Sequence, residues 1–147
     1  MRYLIIFLFT IFSSNIAFAE SVVGKKLLCK RDSEYIFDKF LSEIGIYFVN
    51  SRRVFEYFEP QYFDERPLDS YETQKNNFRY RLALEYIYIW NDKLDSKAYP
   101  INRSTLILTR NNRDYKCEIV SQEFSFENYF QEKINLHLES KKLKRKI

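Results

Sequence analysis

Two short stretches, Lys26-Leu27-Leu28-Cys29-Lys30 and Tyr115-Lys116-Cys117-Glu118-Ile119, decide the fold of this chain. Both follow the period of two that a strand imposes, since successive strand side chains point to opposite faces. Cys29 shares a face with Leu27. Cys117 shares one with Tyr115 and Ile119, while Lys116 and Glu118 point away. The two sulfurs thus sit on apolar faces near opposite ends of the domain. They are the only cysteines, and an even pair in an exported chain is most simply a disulfide. Bonding Cys29 to Cys117 joins the first strand to the last, as in a sheet that closes on itself.

Other cysteine chemistry fits less well. A structural zinc needs four ligands, which two cysteines and His137 do not supply without carboxylates. A catalytic dithiol wants Cys-x-x-Cys, which is absent. A lipid-anchored cysteine follows directly on a cleavage site behind a small residue, whereas Leu27-Leu28 precede Cys29. No metal or cofactor is expected.

Export is read from the start of the chain. Arg2 is followed by the apolar run Leu4 to Phe12 and then by Ala17-Phe18-Ala19, the order of a secretory signal peptide. Residues 1–19 are read as that signal, cleaved after Ala19. The apolar run is shorter than the roughly 20 residues needed to span a bilayer, and no second run approaches that length. The mature chain is therefore expected in the periplasm or outside the cell, without a transmembrane helix.

Between the cysteines the pattern is mainly β. An early helix is expected where Asp32 or Ser33 can cap and Ile36, Phe37, Phe40, Leu41 and Ile44 recur, with Gly45 as its stop. Ile46–Val49 and Val54–Phe58 flank Asn50-Ser51-Arg52-Arg53 as a hairpin. Phe78, Tyr80, Leu82 and Leu84 alternate with Arg79, Arg81, Ala83 and Glu85, a half-buried strand that continues through Tyr86–Trp90 to a turn at Asn91-Asp92. Thr105–Thr109 and Tyr115–Val120 flank a polar turn at Arg110–Asp114. Residues 60–77 follow neither period and are read as a long loop over a sheet edge or a binding lid.

The period changes from Phe126. Tyr129, Phe130, Ile134, His137 and Leu138 fall on one helical face, with Ser125 placed to cap. A strand through Ile134, Leu136 and Leu138 is the competing reading. The helix is preferred because Glu127 lies in its first turn and basic residues in its last, as the helix dipole favours. The domain is thus residues 20–124, with the helix and tail at 125–147. The expected fold is a single antiparallel curled sheet or small barrel with a short early helix and a C-terminal helix.

Charge is unevenly spread. Five of the 24 Lys and Arg, namely Lys141, Lys142, Lys144, Arg145 and Lys146, fall in the last seven residues. The body is near neutral, so the tail is a candidate contact for an anionic envelope surface. Aromatics reach 18% of the chain with only two glycines and three prolines, a bias that AT-rich codons also produce.

Catalytic motifs are absent. There is one histidine, His137, and no Gly-x-Ser-x-Gly, phosphate loop or His-Glu-x-x-His. Loop acids such as Asp64, Glu65 and Asp69 are candidates for a carboxylate pair. Tyr86, Tyr88 and Trp90 share a strand face. Facing outward they would be a stacking platform for a ligand, and facing inward, the simpler expectation, they would be core. Arg79 and Arg81 beside Phe78 and Tyr80 do not make a nucleic-acid surface, since exposed strand faces commonly carry such residues. The chain is read as an exported, non-enzymatic binding or envelope-associated module of unknown ligand, with a small extracytoplasmic hydrolase using loop carboxylates as the alternative.

Overall fold

Cys29 and Cys117 are bonded and are directly opposed Cα partners on adjacent strands. They lock the seam of a barrel. The computed structural model describes residues 21–31, 42–60, 71–91 and 98–144. Strands Lys26–Lys30 (β1), Glu43–Phe48 (β2), Arg53–Phe58 (β3), Gln74–Leu82 (β4) and Tyr86–Trp90 (β5) are followed by Tyr99–Asn102 (β6), Ile107–Arg110 (β7) and Arg113–Val120 (β8). Each pairs antiparallel with the next, and β1 with β8, so the sheet closes. Among the described residues one helix, Phe126–Lys144 (α1), packs outside.

Alternation fills the interior. Leu27 and Cys29 of β1, Ile44, Ile46 and Phe48 of β2, and Ile87 and Ile89 of β5 point into one apolar core. The outward faces carry charges such as Lys75, Arg79, Arg81, Lys116 and Glu118, exposed to solvent. A membrane-spanning barrel is arranged the other way, with an apolar band outside and a polar lumen. No helix among the described residues is long and apolar enough to cross a membrane.

Turn chemistry closes two hairpins. Asn50 Oδ1 accepts the N–H groups of Arg52 at 3.0 Å and Arg53 at 2.9 Å, a side-chain turn doing the work of the missing Asn-Gly signal. Between β7 and β8, Asn111 and Asn112 both have positive φ, 51° and 58°, as the tightest hairpin turns require.

β1 is buried on both sides, which explains its unbroken Leu-Leu-Cys. Leu27 and Cys29 face the barrel core, while Leu28 joins Tyr57, Phe126 and Phe130 beneath the helix. Phe126, Phe130, Ile134 and Leu138, four residues apart, form the buried stripe of α1. Leu136 is 59% exposed, so the strand reading of this segment fails. Ser125 Oγ accepts the N–H of Asn128 at 3.2 Å as the cap. Lys26 Nζ donates to the carbonyls of Gln122 at 2.6 Å and Phe124 at 2.7 Å, tying the chain entering α1 to the start of β1.

Several expectations need correction. Ile44 and Gly45 do not end a helix; both lie inside β2, where Gly45 gives room to a ring of α1. Any helix before Ser42 falls outside the described residues. The loop at 60–77 is shorter than expected, because Gln74–Asn77 already belong to β4. β4 and β5 are not one continuous run, since the chain reverses at Ala83-Leu84-Glu85 and exposes Leu82 and Leu84. Ile119 is 59% exposed near the end of β8, although it shares the parity of Cys117 and pairs with the buried Leu27. β6 has a period broken by Pro100 and carries no clear strand signal. Residues 1–19, the turn partner Asp92, Asp64, Glu65, Asp69, Arg145, Lys146 and the Lys144 side chain lie outside the described residues.

Candidate functional site

Three arrangements of polar or aromatic side chains stand out, one inside the barrel and two on its wall. Inside, Glu56 of β3 has the parity of the core residue Val54 and is 1% exposed. A buried carboxylate without partners would be prohibitively costly. Tyr99 of β6 donates its hydroxyl to Glu56 Oε2 at 2.6 Å, and Arg110 Nη1 of β7 lies 2.8 Å from the same oxygen. The guanidinium also sits 5.2 Å from the Tyr99 ring centroid. Burial first, and then the neighbouring carboxylate, push the Tyr99 hydroxyl well above its ordinary pKa. Burial opposes the Arg110 charge, but Glu56 outweighs it and the guanidinium pKa rises. The cluster is a buried ion pair joined by the Tyr99 hydroxyl, in which Glu56 Oε1 and Arg110 Nη1 are both left without a well-aligned hydrogen bond. Sequence alone misses it, because Glu56 reads as one more polar strand residue.

The second cluster ties α1 to the ends of β2 and β3. Glu43 Oε2 accepts from Tyr129 Oη at 2.8 Å and pairs with Lys133 Nζ at 2.5 Å. Lys133 Nζ also lies 3.7 Å from Glu59 Oε1, and His137 Nδ1 lies 3.8 Å from Glu59 Oε2. Burial, with the charge of Glu43, raises the Glu59 carboxyl above its ordinary pKa despite Lys133 and His137. His137 is exposed and lies outside the buried stripe of α1, although the helical period groups it with Ile134 and Leu138. Among the described residues no group of histidines, cysteines and acids has the geometry to hold a metal ion.

The third is the aromatic strand face. Ile87 and Ile89 are the buried side of β5, so Tyr86, Tyr88 and Trp90 lie on the outer wall, half-buried. The expectation of a core role for these three rings is therefore corrected. Hydrophobic periodicity shows that the two faces differ but not which one points in, since isoleucine and tyrosine can both fill a barrel. Register then places Arg79 directly opposite Trp90, Arg81 opposite Tyr88, and Pro100 on the other side of Tyr88. Arg81 lies 5.3 Å from the Tyr88 ring centroid, and the Tyr86 and Tyr88 centroids are 5.9 Å apart. The result is a row of rings edged by guanidinium groups, suited chemically to flat or anionic ligands.

α1 starts beside the start of β1 and reaches Glu43 and Glu59 at the other end of that strand pair. Lys141 and Lys142, the described side chains of the basic cluster, lie two turns beyond Lys133 along that helix.

The disulfide indicates a non-reducing environment. No protein-family model matches the chain, and neither a curated protein nor a solved structure matches it.

Proposed function

We propose that the protein is an exported, non-enzymatic binding module and that the outer face of β4, β5 and β6 is its ligand surface. The observation that carries this reading is the outward row of Tyr86, Tyr88 and Trp90 with Arg79 and Arg81 opposite. Rings that filled the core would need no explanation; rings left on the wall beside arginines match the chemistry of an anionic or flat partner. The barrel interior supports a binding role, because apolar side chains line it and the one buried carboxylate among the described residues contacts Tyr99 and Arg110. The disulfide and the leader-like start of the chain support export.

Trp90 is the only tryptophan, so its emission reports on this face alone. Titration with acidic oligosaccharides should perturb that emission, and Tyr86→Ala with Tyr88→Ala should weaken the response. Emission unchanged by acidic, neutral and phosphorylated ligands alike would contradict the reading.

The loop acids of the hydrolase alternative, Asp64, Glu65 and Asp69, lie outside the described residues; a different carboxyl, Glu59 beside Glu43 and Lys133, has a raised pKa. A proton-donating Glu59 would predict a hydrolytic activity abolished by Glu59→Gln with the fold intact.

A further inference from the structure

We propose that the corner around the β4–β5 turn docks on an anionic lipid surface, with Leu84 entering the headgroup boundary and arginines meeting the phosphates. The proposal rests on the reading that the β4–β6 face is the ligand surface, and names its partner. Leu84 at the turn tip is 92% exposed and Leu82 beside it 45%. Arg103 of the β6–β7 turn donates through Nη1 to the carbonyls of Ala83 at 3.2 Å and Leu84 at 3.3 Å. The tip is thereby held in shape, and two carbonyls that would be costly to take out of water already have a donor.

Charge complements the apolar tip. Among the described residues, 50–53, 79–90 and 99–106 build this corner and carry Arg52, Arg53, Arg79, Arg81 and Arg103 with one acid, Glu85. Contiguity follows from register: Arg53 faces Arg79 across β3–β4, and the Tyr80 N–H donates to the Arg52 carbonyl at 3.1 Å. A surface with this excess of guanidinium groups attracts an anionic partner over a neutral one.

The choice of lipid over a soluble anion comes from Leu84. A soluble phosphate or acidic sugar gains little from a fully exposed leucine, whereas a bilayer boundary takes it, with Tyr86 and Tyr88 at headgroup depth. One tip residue cannot anchor the protein alone, so binding should be reversible and should weaken with salt.

The test uses the chain from Glu20 onward, which contains every described element, and sedimentation with vesicles at low salt. Binding is expected to phosphatidylglycerol–phosphatidylcholine vesicles, to be lost on phosphatidylcholine alone, and to be accompanied by a blue shift of Trp90 emission. Arg53→Gln, Arg79→Gln and Arg81→Gln together should weaken it by about tenfold or more, and Leu84→Asp should weaken it by about fivefold. All four positions are exposed, so circular dichroism should be unchanged. Neutralising Lys141, Lys142, Lys144, Arg145 and Lys146 to glutamine should leave binding within about twofold, since on this proposal the tail adds little. No binding to anionic vesicles, or binding kept by the arginine variant and lost on tail neutralisation, would overturn the proposal. A Trp90 response to soluble acidic oligosaccharides without vesicle binding would overturn it too, while leaving the ligand face standing.

Discussion

The ring of Phe126 lies directly on Gly45, so close that a β-carbon at position 45 would come within 2.5 Å of it. One glycine in the middle of β2 thus sets where the first turn of α1 meets the barrel. Phe126 completes the contact by stacking on Tyr57 at 5.3 Å. Close approach to a strand backbone is the usual reason for glycine within a sheet.

Gly45→Ala is therefore expected to destabilise the protein by about 1–3 kcal/mol, the usual cost of overpacking. Urea denaturation measures it. The Phe126→Ala background should reduce the penalty of Gly45→Ala, because the methyl group then has room. A penalty of equal size in both backgrounds would mean that the ring is not what Gly45 accommodates.

Glu56 and Arg110 offer a second test. Removing one partner of a buried ion pair leaves the other uncompensated, at a cost of about 3–5 kcal/mol. Arg110→Met alone should fall in that range. Combining it with Glu56→Leu should recover a large part of the loss, as an apolar pair of similar bulk often replaces a buried ion pair without penalty. Additive losses would place Glu56 in a site that solvent reaches.

The barrel was legible where alternation and chemistry agreed. Cys29 and Cys117 gave the seam, the polar runs Asn50–Arg53 and Arg110–Asp114 the turns, and Ser125 with the apolar period running from Phe126 to Leu138 the helix. Reading failed where a residue's local meaning was overridden by its neighbours in space. Gly45 follows an apolar run and resembles a helix stop, but it exists for the ring of Phe126. Leu82 and Leu84 continue the parity of Phe78 and Tyr80, yet the chain turns before they reach the core. Glu56 and the Glu43–Lys133–Glu59 cluster join residues far apart in sequence, and no spacing rule anticipates them. The outward face of β5 could be settled only by closure of the sheet, since both of its faces are apolar enough to be buried.

The Glu59 carboxyl sets a pH dependence whose sign is fixed by its raised pKa. A group that binds its proton more tightly in the folded state adds stability that is complete below the ordinary carboxylate pKa of about 4.3 and is lost as pH rises through the raised value. Glu59→Gln mimics the protonated form. Its stability relative to the natural chain should be greatest near neutral pH and should shrink as pH falls toward about 4. Denaturation midpoints across that range give the result, and a difference that grows on acidification would reverse the assignment.

The claim that Tyr86, Tyr88 and Trp90 form an outward face edged by arginines is tested most directly by collisional quenching of the single tryptophan. With each ion's quenching scaled to its quenching of free tryptophan amide, because caesium is intrinsically the weaker quencher, iodide and caesium report an exposed indole alike except where local charge attracts one and repels the other. Trp90 lies opposite Arg79 and close to Arg81 on the wall, so iodide should quench its emission markedly more than caesium at low salt. Arg79→Gln with Arg81→Gln should narrow that difference. Emission that neither ion quenches would put Trp90 in the core, and equal quenching by both would remove the positive field on which the proposed ligand surface depends.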